Sequence, residues 1–353
     1  MKRIALYIFV FIGILSCTEK KSEKKLMKIE DIKTFNIKST EIELNEMPMF
    51  PKGCRVIDST LILFEPKLTD GFLSLYSLKS NTLIKRFGEI GNGPCDFINP
   101  RFFQNYQFKN DEKSFLIADS KYFYKLNIDS IITGYNNCKN SIIEYVPAEM
   151  KGYNYILNLS DTYITANVTG NSQVEQFNLL NKERKSMNYY PKLSGLDIND
   201  LAYSTQIYDA YYTSNNENII IAYKHLKQID ILSLNGDYIK SIYFLDFDIN
   251  LNKIRKIDDY NVKFEDNSLF FYSYIFTTDS YFYALCWNST KNEIKENKAI
   301  PEIQIFNQRG EIINILKPDI AISYFCVDEK ESKIYAIGMS SDEDLKVYTF
   351  NKP

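Results

Sequence analysis

Six times along the chain one strand pattern returns, and this repetition limits the possible folds more than any motif does. The copies occupy residues 58–64, 113–119, 161–167, 217–223, 280–286 and 332–338. Each is a polar turn residue followed by an apolar run rich in β-branched and aromatic side chains, which suits a pleated surface. A second run follows each copy, over 73–77, 121–127, 174–178, 229–233, 303–307 and 347–351, and closes on Asn or Ser. One more apolar strand is expected ahead of each copy, near 53–57, 101–108, 154–157, 208–213, 269–276 and 322–327. Asn235-Gly236 leads into 238–244 and Arg309-Gly310 into 312–316, the turn chemistry of a hairpin and a fourth strand.

The copies start 55, 48, 56, 63 and 52 residues apart. Four antiparallel strands repeated six times predict an all-β, six-bladed β-propeller over residues 35–353, in which radial packing covers the sheet faces and leaves short edges. An open β-solenoid is the alternative, but its repeats are shorter. The last copy ends on its third strand at 347–351. Residues 35–44 alternate Ile37, Ile42 and Leu44 with polar neighbours, so they are expected to complete the last blade and remove an exposed edge. The longest step carries a polar stretch, 246–266, expected as a loop or short helix.

The first 17 residues read as an address. Lys2 and Arg3 precede an apolar run of 12 residues, 4–15, too short for a membrane-spanning helix of about 20. The run stops at Ile14-Leu15-Ser16-Cys17, which resembles a bacterial lipobox. That resemblance implies cleavage before Cys17 and acylation of its thiol, with membrane lipid as a partner and an outer-membrane, cell-envelope location. Residues 18–34 are polar and charged without periodicity, and are expected to form a flexible tether.

Composition excludes several functions. The 42 basic and 45 acidic residues leave a net charge of −3, so the basic footprint of nucleic-acid binding is missing. A lone histidine, His225, leaves little for a zinc site or a Ser or Cys triad, and no Gly-x-Ser-x-Gly elbow occurs. His225 itself reads as a turn residue. Beyond Cys17, the five cysteines Cys54, Cys95, Cys138, Cys286 and Cys326 are odd in number and irregular in spacing, so they form no disulfide framework. Most are expected as buried strand residues. Whether one pair oxidises is left open by the spacing.

Residues 87–100, Phe-Gly-Glu-Ile-Gly-Asn-Gly-Pro-Cys-Asp-Phe-Ile-Asn-Pro, resemble the signature of NHL-type repeats, with Ala118-Asp119 as the strand end that follows. Cys95 departs from the pattern, which usually has Gly there. With the lipobox and the six blades, residues from about 35 onward resemble the TolB-like six-bladed propeller lipoproteins of Bacteroidetes. The resemblance implies a fold and a location rather than a reaction. Physically, the loop reads as an inter-blade turn. Gly88, Gly91 and Gly93 are expected at positive φ, Pro94 and Pro100 stiffen the crossing, Asp96 caps backbone donors and Phe97 packs between blades. A phosphate cradle would need a helix after the loop, and strands follow.

Two functional readings remain. The first is a non-enzymatic binding or scaffold module that takes a glycan, peptide or protein of the envelope at the channel mouth. Arg55, Arg101, Tyr208, Tyr211, Tyr212, Tyr274 and Tyr324 fall on or beside the expected inner strands, and Tyr with Arg recognises ligands by stacking and forked hydrogen bonds. No cofactor is expected on this reading. The alternative is a calcium-dependent hydrolase or lactonase at the channel mouth, with oxygen ligands drawn from blade turns such as Asp161, Asn167 and Asp328. Those positions also read as polar strand caps.

Overall fold

The computed structural model describes residues 24–27, 32–93, 95–103, 111–134, 141–145, 156–159, 162–166, 174–178, 181, 183–187, 191, 207–214, 217–244, 254–258, 261–340 and 344–353. Its strands form six sheets of four or five strands and one two-stranded ribbon. Each of the six sheets is a blade, with strands A to D in chain order.

Blade one is Cys54–Ile57, Thr60–Phe64, Leu73–Ser77 and Thr82–Phe87. Blade two is Arg101–Phe103, Ser114–Ala118, Tyr122–Asn127 and Ile142–Tyr145. Blade three is Ile156–Leu159, Thr162–Ala166, Val174–Asn178 and Arg184–Met187. Blade four is Ala210–Ser214, Asn218–Tyr223, Gln228–Ser233 and Tyr238–Phe244. Blade five is Leu269–Thr277, Tyr281–Thr290, Glu302–Asn307 and Ile312–Pro318. Blade six has Ile322–Asp328, Lys333–Met339 and Leu345–Asn351, and takes its fourth strand from Thr40–Glu41. Within each blade the A to D strands pair antiparallel.

The apolar runs that mark the repeat are the B strands, and packing explains them. A middle strand has a neighbouring blade on both faces, so it is buried without alternation, as in Ser114–Ala118 and Asn218–Tyr223. Outer strands are more exposed instead, as in Thr82–Phe87, where no residue is buried. The core therefore lies between blades. One cluster joins blades one and two through Phe72, Phe97, Phe115 and Tyr124. Another joins blades four and five through Ile231, Ile242, Phe282 and Phe306. A third joins blades five, six and one through Tyr283, Phe325, Tyr335 and Cys54. Each large apolar side chain contributes about 1.5–3 kcal/mol by leaving water. The A strands are innermost: those of blades four, five, six and one pack against each other in succession.

An N-terminal strand completes the last blade, as expected, but over a shorter stretch. The segment 35–44 is not one strand in the last blade. Thr40–Glu41 pairs with Thr349 and Tyr348 of blade six, and the Ile42 amide donates to the Val347 carbonyl at 2.9 Å. Thr34–Ile37 instead adds to blade five as a fifth strand, parallel to Ile315–Pro318. The physical reason is burial. Ile37 is only 6% exposed beside Leu316, in the cluster that joins the two blades, which a strand kept wholly in blade six would not reach. The expected tether 18–34 is likewise not all free chain. Lys24–Met27 pairs parallel with Ser241–Phe244 as a fifth strand of blade four. Lys24–Met27, Thr34–Ile37 and Thr40–Glu41 thus lie on the outer edges of blades four, five and six in turn.

Two local expectations also change. The stretch 246–266 contains a two-stranded ribbon, Ile254–Lys256 against Val262–Phe264, rather than a loop or helix. Among the described residues, two short helices were not anticipated. Ile128–Thr133 is capped by Asn127, whose side chain accepts from Ser130 N, and ends at Gly134 with φ 77°. Lys291–Lys295 carries a capping box between Thr290 and Glu293, a spacing present in the sequence.

Candidate channel-mouth site

Strand register places the candidate residues. Within each blade, A–B pairing is antiparallel, so residues opposite the same repeat position are equivalent. Tyr211 lies opposite Ala222, Tyr274 opposite Leu285, and Tyr324 opposite Ile337. Cys54 lies opposite Leu63 and Arg101 opposite Ala118. All five partners hold the same place in the repeated B strand. Tyr211, Tyr274, Tyr324, Cys54 and Arg101 are therefore one tier of the innermost strands, and the equivalent residue of blade three lies outside the described residues.

The tier is physically connected. Tyr274 and Tyr324 meet edge to face with ring centroids 5.6 Å apart. Tyr211 and Tyr324, from blades separated by blade five, are in electrostatic reach of each other. Burial pushes the Tyr211 phenol up, followed by Tyr324 and Asp209. Lys224 Nζ sits 4.9 Å from the centre of the Tyr211 ring and 2.5 Å from Asp209 Oδ2, which fixes that ring. Tyr274 is 5% exposed and its hydroxyl is buried without a hydrogen-bond partner. Burial pushes this phenol well up, so at neutral pH it is a neutral donor and acceptor. Burial lowers Arg101, which is half-buried.

The other candidates fall elsewhere. Arg55 is one residue past the tier, so its side chain leaves the opposite side of the strand, where burial lowers its guanidinium to about 10. Tyr212 is likewise offset by one and buried. Tyr208, expected at the start of its inner strand, precedes the observed strand Ala210–Ser214. It is 3% exposed, its hydroxyl donates to the Pro191 carbonyl at 2.8 Å, and its ring packs on Tyr223. Its role in the described fold is packing.

The glycine loop is structural. Gly88 alone of its three glycines has positive φ, at 86°, and a Cβ there would collide with the Phe72 ring. Gly91 and Gly93 correct the expectation of positive φ. They are glycines because the Asp96 carboxylate occupies the space a Cβ would take, and Gly93 N donates to Asp96 Oδ2 at 2.7 Å. Phe97 is 1% exposed, between Phe72 and Phe87 of blade one and Tyr124 of blade two. Pro94 lies outside the described residues and Pro100 is buried.

His225 lies in the bend between the B and C strands of blade four, as expected of a turn residue, but is half-buried there. It stacks on Phe264 of the ribbon at 3.8 Å with Nδ1 unpartnered, and burial, then Lys224 and Lys291, lower it to about 4. Sequence reasoning missed this contact because the ribbon that makes it was not foreseen. Asp328 accepts from the amides of Lys330 and Glu331, which makes it a turn cap. Asp161 and Asn167 lie outside the described residues. Among the described residues no group of three or more His, Cys, Asp or Glu is placed to hold a metal. Cys54, Cys286 and Cys326 are buried and outside any disulfide, as expected of strand cysteines, whereas Cys95 is disulfide-bonded.

The connections divide the propeller into two faces. A–B and C–D connections share one face and are mostly tight hairpins, closed at Gly236 and Gly310. B–C and D–A connections share the other, which carries the glycine loop, the ribbon, the Lys291–Lys295 helix and exposed Met47, Met49 and Phe50. The tier lies near the B–C end of its partner strands, on the side of this loop face.

No curated protein matches the sequence. Among solved structures, the fold resembles a member of the DUF4221 family from Bacteroides vulgatus, with a TM-score of 0.54 at 12% identity, over 91% of this chain and 98% of that one. BamB from Moraxella catarrhalis matches with a TM-score of 0.34 at 11% identity, over 84% of this chain and 68% of that one. The family model described as TolB-like 6-blade propeller-like matches residues 32–330. With six blades closed by its own N-terminal segment and a match over most of its length, the chain belongs to the TolB-like six-bladed propeller family.

Proposed function

We propose that the protein is a non-enzymatic binding module of the cell envelope, anchored through acylated Cys17, which takes its ligand at the loop-face mouth of the channel. The observation that supports this most is the shared tier of Tyr211, Tyr274, Tyr324 and Arg101, with the Tyr274 hydroxyl buried and unpartnered. Leaving a buried hydroxyl unpaired costs about 1–3 kcal/mol, which a ligand acceptor or a bound water recovers. Flat phenol rings beside a guanidinium suit a glycan, a peptide or a protein segment with polar acceptors and planar faces. Among the described residues no group of three or more His, Cys, Asp or Glu is placed to hold a metal, and Asp161 and Asn167, named for the hydrolase reading, lie outside them.

The test is titration of the purified protein with envelope oligosaccharides and with peptide pools, followed by nuclear magnetic resonance and calorimetry. Tyr211→Ala, Tyr324→Ala and Arg101→Ala should each weaken binding about 10-fold or more, with Tyr208→Phe as a control that leaves it unchanged. Binding that survives all three substitutions places the site elsewhere. Ester or lactone hydrolysis that depends on added calcium overturns the non-enzymatic reading.

A further inference from the structure

The ring closes where blade six meets blade one, and two cysteines meet across that joint. Cys54 opens the innermost strand of blade one, and Cys326 lies in the innermost strand of blade six, which packs directly against it. Cys54 Sγ is 3.7 Å from the Tyr335 carbonyl oxygen, and Tyr335 is the residue paired with Cys326 in the blade-six register. The two thiols are themselves in hydrogen-bonding contact. Both are buried, at 0% and 1% exposure, in the cluster that joins blades five, six and one. The Tyr274 phenol of blade five lies within electrostatic reach of both.

At the outer end of the seam, backbone closure is short. Thr40–Glu41 pairs with Tyr348 and Thr349, and the Ile42 amide adds one bond to Val347. A covalent link at the inner end would act on a different scale. Cys54 and Cys326 stand almost a whole ring apart in sequence, and joining residues so distant removes much of the freedom of the unfolded chain.

We propose that Cys54 and Cys326 form a disulfide that closes the ring covalently between blades one and six. Bonding requires the two sulfurs to close from hydrogen-bonding contact to about 2 Å. The oxidant is an external disulfide, and the reaction is thiol–disulfide exchange. One cysteine thiolate attacks the external disulfide, releases one thiol and leaves a mixed disulfide. The second thiolate attacks the protein sulfur of that bond and releases the other thiol. Two protein thiols are oxidised, one external disulfide is reduced to two thiols, and those thiols take up the two protons. In the closed seam both cysteines are shielded, so exchange runs while the ring is open and the bond is sealed in as the blades dock. This holds whether or not the chain is anchored in the envelope.

The experiment unfolds the purified full chain in urea with dithiothreitol. It is then refolded either in dithiothreitol or in a mixture of reduced and oxidised glutathione. Remaining thiols are alkylated with iodoacetamide in urea, and a tryptic digest is read by mass spectrometry without reduction. In the glutathione arm, a fragment linking Cys54 to Cys326 should predominate, with Cys286 alkylated. Tm in that arm should exceed the dithiothreitol arm by about 5 °C or more. The same treatment re-forms the bond at Cys95, so Cys326→Ala is refolded in parallel and should lose that part of the rise. If Cys326→Ala does not refold, Cys54→Ala makes the same comparison, and the linked fragment of the native chain is read in either case. Alkylated or glutathione-capped Cys54 and Cys326 after refolding overturn the proposal. So does a linked fragment with no rise in Tm, or a rise that persists in full in the variant.

Discussion

The Cys54 thiol of blade one donates to the Tyr335 carbonyl of blade six, Sγ to O 3.7 Å, across the seam where the ring closes. Cys326 pairs with that same Tyr335 in the strand register, so the two thiols lie side by side in the seam. Burial, then the neighbouring Cys326, pushes the Cys54 thiol well up. Neither should react with iodoacetamide at about pH 8 in the native protein, because the thiolate is the nucleophile. Urea should expose Cys54, Cys286 and Cys326 together. Labelling of Cys54 without unfolding would show that the seam opens. Cys54→Ala should cost about 1–3 kcal/mol in urea denaturation through loss of seam packing.

The edge that completes blade six offers a second test of the seam. The Ile42 amide donates to Val347, and Ile42→Pro removes that donor and blocks the strand. The expected loss in urea denaturation is about 2–3 kcal/mol, the cost of a proline that forfeits a backbone hydrogen bond. The next residue, Glu43, is exposed, so Glu43→Ala is the matched control and should change stability by less than about 0.5 kcal/mol. Equal effects of the two substitutions would show that the edge strand does not hold the ring closed.

In the glycine loop, Gly88→Ala should destabilise by about 2 kcal/mol or more. It meets both a positive φ and the Phe72 ring, and the ring is locked by Phe97. Phe97→Ala should cost about 3–5 kcal/mol, as it empties the joint between blades one and two. Thermal denaturation checks both. A neutral Gly88→Ala would mean the loop repacks freely.

His225 makes stability depend on pH. Its ordinary value of 6.5 falls to about 4 on folding. Between these values the unfolded chain takes up a proton that the folded chain does not. The contribution is therefore present above about pH 6.5 and lost as pH falls toward 4. The slope is at most about 1.4 kcal/mol per pH unit, roughly 3 kcal/mol in all. His225→Phe keeps a ring against Phe264 and removes the titration. The stability difference between variant and native protein, followed by urea denaturation from about pH 4 to 7, should change with pH. A constant difference would show that His225 titrates normally.

The repeat was legible because its B strands are buried on both faces, and such strands read as uninterrupted apolar runs such as Asn218–Tyr223. Leu73–Ser77, Val174–Asn178 and Tyr238–Phe244 fall where the sequence pattern puts them. The ribbon Ile254–Lys256 with Val262–Phe264 was not legible. It is short, polar on one side, and held by contacts such as the His225–Phe264 stack that lie far apart in the chain. In the site, the residue types were readable but not their directions. Tyr211 and Tyr212 are neighbours in sequence, and a step of one residue sends their side chains to opposite sides.

By itself, then, the sequence determined the blade count, the strand order and the composition of the inner strands, because each follows from local periodicity and burial. Tertiary structure alone decided where the N-terminal segment goes. The segment 34–41 can pair with any open outer edge, and only the apolar pocket beside Leu316 and the free edge at Val347–Tyr348 direct Ile37 to blade five and Thr40–Glu41 to blade six. The same holds for the tier of Tyr211, Tyr274, Tyr324 and Arg101. Their common level comes from register across separate sheets, a relation between residues as distant in the chain as Arg101 and Tyr324 that no local pattern encodes.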